Sequence, residues 1–176
     1  MKDFGYNIAL IGFMGTGKTT VAHCLCTMFS MKSIEMDQRI AEREGMSIPD
    51  IFATYGEEYF RDRETKLLRE LQEEKNLIIS CGGGTVLRAC NVAEIKKNGR
   101  VVLLKASPEV ILERVKDSED RPILEGQKSV EGIRELMEQR RECYEAAADI
   151  VIETDGKSVQ KICEELLKCL SEMDED

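Results

Sequence analysis

Short apolar segments rich in β-branched residues alternate with longer amphipathic segments along this chain. The apolar segments predict five strands, over residues 7–11, 33–35, 77–80, 101–104 and 150–152. The amphipathic segments predict helices over residues 18–29, 57–73, 108–116, 130–146 and 157–170. Strands that alternate with helices are typical of an α/β fold with a parallel sheet.

The final predicted helix shows the helical pattern well. Its apolar residues recur at spacings of three and four, as packing on a sheet requires: Val159, Ile162, Cys163, Leu166, Leu167 and Leu170. Two stretches, residues 46–56 and 117–129, have no clear period, and the second is predicted to be a mobile lid. Because the chain contains neither a repeat nor a linker, we expect a single domain over residues 1–176.

Composition narrows the possible partners and the location. The chain has 176 residues and a net charge of −9, which argues against a broad nucleic-acid interface. No apolar run is long enough to span a membrane, and the N-terminal residues do not resemble a secretory signal. We therefore expect a cytoplasmic monomer that binds neither nucleic acid nor membrane, with a frayed, solvated acidic C-terminus. The seven cysteines show no metal-site spacing and are predicted to be reduced thiols.

A phosphate-binding motif follows the first predicted strand directly. The residues are Gly12-Phe13-Met14-Gly15-Thr16-Gly17-Lys18-Thr19, which match G-x-x-x-x-G-K-[ST] at the start of a helix. Backbone N–H groups and the helix N-terminus favour phosphate, Lys18 would reach the β- and γ-phosphates, and Thr19 would ligate Mg²⁺ directly. The predicted nucleotide-binding residues here are Gly15, Thr16, Gly17, Lys18, Thr19 and Thr20. The alternative is an ordinary glycine turn, and the single histidine, His23, is interpreted as an ordinary helix residue.

One absent motif and two further segments help to distinguish the classes of P-loop protein. The chain lacks the Asn/Thr-Lys-x-Asp segment of Ras-type GTPases, which favours a small-molecule kinase. Asp37 follows the second predicted strand, and Gly82-Gly83-Gly84 follow the third. Because the carboxyl ends of parallel strands meet at one edge of a sheet, both should face one cleft. A plain turn remains the alternative for the triple glycine.

These motifs together resemble the shikimate kinase family over nearly the full chain. The similarity lies in the P-loop, Asp37-Gln38, G-E-x-x-F-R-x-x-E over residues 56–64, the triple glycine, Arg121-Pro122, and Arg140-x-x-x-Tyr144 followed by Ala148-Asp149. The resemblance implies a three-layer P-loop kinase fold with a lid and a five-stranded parallel sheet of order 2-3-1-4-5. It also implies that the 3-hydroxyl of shikimate is phosphorylated by ATP with Mg²⁺.

The resemblance also implies residue roles. Lys18, Asp37 and Arg121 would be catalytic, with Asp37 positioning the acceptor hydroxyl or taking its proton. Within a shikimate-binding region that includes residues 35–64, Arg61 would hold the substrate carboxylate together with Arg140, beside Gly82, Gly83 and Gly84. Arg121 would close over ATP from the lid, and Lys157 would lie beside the adenine. Glu35, where the family usually has Asp, would support the outer shell of Mg²⁺, and Glu142 stands where Pro is common.

Each assignment has a simpler alternative. Asp37 could cap a helix, and the three arginines could be solvated surface residues. At the level of function, the alternatives are a related kinase such as a gluconate kinase, and a non-catalytic binding module that kept the fold. Arg61, Arg140 and the triple glycine disfavour the gluconate kinase. The joint presence of Lys18, Thr19, Asp37 and Arg121 disfavours the binding module.

Overall fold

A five-stranded parallel sheet forms the centre of the molecule. The computed structural model describes residues 3–115 and 129–176. The strands are β1 Asn7–Ile11, β2 Lys32–Glu35, β3 Leu77–Ser80, β4 Gly99–Lys105 and β5 Ile150–Glu153. They pair in parallel in the order β2-β3-β1-β4-β5, which confirms the predicted topology.

Helices cover both faces of this sheet. In the described residues they are α1 Lys18–Phe29, α2 Met36–Glu44, α3 Ile48–Tyr55, α4 Glu57–Leu71, α5 Ala89–Lys96, α6 Pro108–Val115, α7 Val130–Ala147 and α8 Val159–Glu175. A short 3-10 helix, Thr85–Leu87, precedes α5. Among these described helices, none combines the length and the apolar character needed to cross a lipid bilayer.

Alternate residues of the central strand belong to two separate cores. Ile8 and Leu10 of β1 pack with α1 and α8, whereas Ala9 and Ile11 pack with the helices on the opposite face. Every residue of β1 is buried, as expected for a strand covered on both sides. The sheet is therefore a rigid base for the loops at its carboxyl edge.

Several boundaries differ from the sequence-based expectations. Residues 46–56 show no clear period in the sequence, yet α3 occupies most of them. Ser47 caps the N-terminus of α3 by accepting a hydrogen bond from the Asp50 N–H. Because only Ile51 of this eight-residue helix is buried, its apolar residues show no helical period. The sequence patterns also missed α2 and α5, and α4 ends at Leu71.

The C-terminal end is more ordered than predicted. Helix α8 continues to Glu175, so the expectation of a frayed terminus is wrong. The Tyr6 hydroxyl donates a hydrogen bond to Asp174 over 2.9 Å, which fastens the end of α8 to the start of β1. The predicted lid over residues 117–129, with Arg121, lies outside the described residues except for Ser129, which caps α7.

Candidate active site

The phosphate loop connects β1 to α1 at the carboxyl edge of the sheet. Gly12, Gly15 and Gly17 have φ values of 146°, 81° and 97°, in the region that favours glycine. A Cβ on Gly12 would also collide with the carbonyl oxygen of Leu104 on β4. The loop therefore needs glycine to lie this close to the sheet and to present its N–H groups at the start of α1.

Two polar side chains of the loop contact its own backbone. Lys18 Nζ donates to the carbonyl oxygens of Gly12 and Phe13 over 2.8 and 3.0 Å. The Thr16 hydroxyl is buried and donates to the Phe13 carbonyl over 2.9 Å. Lys18 lines a cavity above the loop, whereas the Thr16 side chain does not line it and stabilises the loop through its hydrogen bond to Phe13.

A cavity of about 510 Å³ lies above the phosphate loop. Its volume is within the range typical of small-molecule sites. The structure brings most of the predicted site residues to its walls: Gly15, Gly17, Lys18, Thr19, Thr20, Glu35, Asp37, Arg61, Gly82, Gly83, Gly84 and Arg140. The predicted phosphate and substrate residues thus share one space.

Asp37 projects from the first turn of α2 toward the triple glycine. The residue at the N-cap position of α2 is Glu35, so N-capping by Asp37 is not what the structure shows. A Cβ on Gly82 would lie 2.7 Å from Asp37 Oδ1, which means that the carboxylate rests almost directly on the glycine. Gly82 is therefore required for the position of Asp37.

Thr19 and Glu35 place two oxygens at the edge of the cavity. The Thr19 hydroxyl, on the first turn of α1, donates to Glu35 Oε2 at the end of β2 over 3.2 Å. Hydroxyl and carboxylate oxygens are the ligands that Mg²⁺ prefers. The longer side chain of Glu35, which stands where aspartate was expected, therefore reaches the hydroxyl of Thr19, the predicted direct ligand of the metal.

Arg61 also lines the cavity and is 6% exposed. Its Nη1 donates to Glu64 over 2.6 Å, its Nη2 donates to Glu57 over 3.1 Å, and its guanidinium lies flat against Gly84. Glu64 is fully buried, and this burial raises the pKa of its carboxyl group, opposed by the charge of Arg61.

Arg140 approaches the same cavity from α7 and is also 6% exposed. Its guanidinium lies 5.7 Å from the centre of the Phe13 ring, and a Cβ on Gly83 would lie 3.2 Å from Nη1. Within residues 3–115 and 129–176, Nη1 has no hydrogen-bond partner although it is buried. One turn later, the Tyr144 hydroxyl donates to the Gly83 carbonyl. A buried cationic donor of this kind can bind an anionic oxygen.

Of the other two predicted nucleotide residues, one lies away from the cavity and one is not among the described residues. Lys157 follows β5 and forms an ion pair with Glu165 over 2.9 Å, away from the walls of the cavity. Arg121 falls outside the described residues. Sequence reasoning missed Arg114 of α6, whose Nη1 donates to the Gly15 carbonyl over 2.7 Å and which lines the cavity. No motif marks Arg114, because the contact depends on how α6 packs beside the phosphate loop.

A family model described as shikimate kinase matches residues 14–171. The chain belongs to the shikimate kinase family. It is 41% identical to the shikimate kinase of Caldanaerobacter subterraneus subsp. tengcongensis over 92% of this chain and 94% of that one. The shikimate kinase of Persephonella marina is 42% identical, again over 92% of this chain and over 96% of the relative.

The fold agrees with this family as well. The solved shikimate kinase from Acinetobacter baumannii, in complex with shikimate, superposes with a TM-score of 0.92 at 33% identity. The match covers 97% of this chain and 96% of that one. Family membership favours phosphorylation of shikimate over phosphorylation of gluconate, because the identity to known shikimate kinases is high and extends over most of the chain.

Proposed function

We propose that this shikimate kinase family member transfers the γ-phosphoryl group of ATP to the 3-hydroxyl of shikimate, giving shikimate 3-phosphate and ADP in aromatic amino-acid biosynthesis. The main support for this proposal is that one cavity is lined by Lys18 of the P-loop, by Asp37 and by two buried arginines, Arg61 and Arg140. A guanidinium matches a planar carboxylate, and shikimate carries one carboxylate beside its ring hydroxyls.

The phosphate loop would bind the donor. Lys18 would exchange its two carbonyl partners for phosphate oxygens, since an ammonium gains more from an anion than from neutral carbonyls. The N-terminus of α1 adds N–H groups and a positive partial charge at the same place. Arg121 of the predicted lid and Lys157 stay predictions for the outer phosphates and the adenine.

The acceptor would lie between Asp37 and the two arginines. The carboxylate of Asp37 would orient the attacking hydroxyl and receive its proton, while Arg61 and Arg140 hold the carboxylate of shikimate. Gly82, Gly83 and Gly84 would let the substrate ring approach the backbone. Positioning matters most here, because phosphoryl transfer proceeds through a loose transition state that needs little covalent help.

Mg²⁺ fits the residues present at the edge of the cavity. The Thr19 hydroxyl would be a direct ligand, and Glu35, 3.2 Å away, would support the outer shell. When bound with ATP, the metal would neutralise charge on the β- and γ-phosphoryl oxygens. A monomeric state and a cytoplasmic location stay predictions.

A coupled assay that measures ADP release tests the proposal. With ATP, Mg²⁺ and shikimate, the purified chain should release ADP in step with the appearance of shikimate 3-phosphate in the mass spectrum. Gluconate, offered at the same concentration, should give only the background rate. Turnover of gluconate in preference to shikimate would overturn the proposal, and so would ATP binding without any turnover.

A further inference from the structure

A buried polar network lies directly behind the cavity wall formed by Arg61. Glu64, with no exposed surface, uses one carboxylate oxygen for Arg61 and the other for Thr85. The Thr85 hydroxyl donates this second hydrogen bond and is itself fully buried. The Arg61 guanidinium is therefore connected to Thr85 through one carboxylate.

The backbone holds Thr85 in place on both sides. Its N–H donates to the Gly82 carbonyl over 3.2 Å, and its carbonyl accepts from Asn91 Nδ2 over 2.8 Å. The Thr65 hydroxyl lies 2.7 Å from Asn91 Oδ1 and ties α5 back to α4. The hydroxyl of Thr85 consequently has little freedom to leave Glu64.

Glu64 needs both hydrogen-bond donors. Burial raises the pKa of its carboxyl group, and the nearby charge of Asp37 adds to this, whereas Arg61 and the Thr85 hydroxyl oppose it. The two carboxylates approach each other at Gly82, where a Cβ would lie 2.7 Å from Asp37 and 3.1 Å from Glu64. An unsatisfied oxygen here would be costly, because a buried acceptor loses its water without compensation.

The other partner of Arg61 is a weaker anchor. The Glu57 side chain is 57% exposed, and an ion pair with an exposed partner contributes little because solvent screens it. Glu64 and the contact with Gly84 therefore decide where the guanidinium lies. Whatever fixes Glu64 also fixes Arg61.

We infer that Thr85 is a positioning residue that holds Arg61, through Glu64, in the orientation needed to bind the carboxylate of the acceptor. The Thr85 hydroxyl fixes one oxygen of Glu64, which leaves the other aimed at Arg61 Nη1. This assignment rests on the proposed function, since the carboxylate is that of shikimate. It gives a role to a side chain that touches neither the cavity nor the substrate.

The test compares shikimate with its uncharged methyl ester, which keeps the ring hydroxyls. Thr85→Val removes the hydroxyl while keeping the branched shape, and Thr85→Ser restores it. In Thr85→Val, kcat/KM for shikimate should fall by about tenfold, mostly through KM, because a hydrogen bond to a charged group is lost. The methyl ester, which cannot use the charge of Arg61, should lose much less, so the preference for the acid falls. Thr85→Ser should restore that preference.

Thr154→Val is a matched control, since Thr154 is 1% exposed and its hydroxyl donates to the Lys105 carbonyl. It should leave the preference for acid over ester unchanged. If Thr85→Val does not fold, Thr85→Cys keeps a similar volume with a weak donor and should show a smaller loss of preference. An unchanged preference in folded Thr85→Val, or in Thr85→Cys where the valine variant does not fold, overturns the inference. A wild-type chain that phosphorylates neither compound overturns the proposed function instead.

Discussion

Replacing Gly82 with alanine tests how tightly the site is built around Asp37. The backbone of Gly82 lies outside the positive-φ region, so its backbone conformation is one that alanine can adopt. Its Cβ would lie 2.7 Å from Asp37 Oδ1, whereas ordinary contacts begin at 3.4 Å. The carboxylate of Asp37 must therefore move by about 0.7 Å, whereas that of Glu64, 3.1 Å from the same Cβ, must move by only about 0.3 Å.

This displacement should matter more for catalysis than for stability. A misplacement of about 1 Å in a reacting group can cost about 10²-fold in rate, so kcat of Gly82→Ala should fall by about that factor. The melting temperature should change by only a few degrees, because the end of a short side chain can rotate away. Steady-state kinetics with shikimate and a thermal melt measure the two quantities.

Gly83→Ala provides the comparison. Its Cβ would contact Arg140 Nη1 at 3.2 Å and would not approach Asp37, so it should raise KM for shikimate more than it lowers kcat. Near-normal kcat in a folded Gly82→Ala variant would refute the reasoning, since the contact with Asp37 would then have no catalytic consequence.

Two further predictions concern the metal and the thiols. Glu35→Gln should raise the Mg²⁺ concentration that gives half-maximal rate, because the negative charge beside Thr19 is lost. An unchanged magnesium titration would show that Glu35 does not support the metal. Burial raises the pKa of the Cys81 thiol, so iodoacetamide at neutral pH should alkylate the exposed Cys90 first, as peptide mass spectrometry would detect. Faster labelling of Cys81 would contradict its burial.

Local patterns were enough to predict the five parallel strands and the phosphate loop, whereas the order of the strands followed from the family resemblance. Residues 8–11, directly before Gly12, form an uninterrupted apolar run, and the loop chemistry depends on glycine and lysine at fixed spacings. Helix α3 was not predictable in this way. It has eight residues and one buried side chain, so its formation depends on packing against α2 and α4 rather than on a period.

The buried hydrogen bond between Thr85 and Glu64, behind the cavity wall, could not be derived from local patterns either. Glu64 and Thr85 are 21 positions apart in sequence, and only the packing of the 3-10 helix on α4 brings them together. Arg140 could not be distinguished by pattern from its neighbour Arg141, yet one is buried in the cavity wall and the other pairs with Glu138 at the surface. Family resemblance, rather than periodicity, separated the two.

The most direct test of the account is the turnover of Asp37→Asn with saturating ATP and shikimate. Asparagine keeps the shape and much of the positioning but accepts no proton, so kcat should fall by about 10² to 10⁴. ATP affinity, measured by calorimetry, should be unchanged, since Asp37 lies at the acceptor end. The account predicts a folded variant with intact nucleotide binding and this loss of shikimate phosphorylation. Near-normal turnover would contradict it, because Asp37 would then not act on the acceptor hydroxyl.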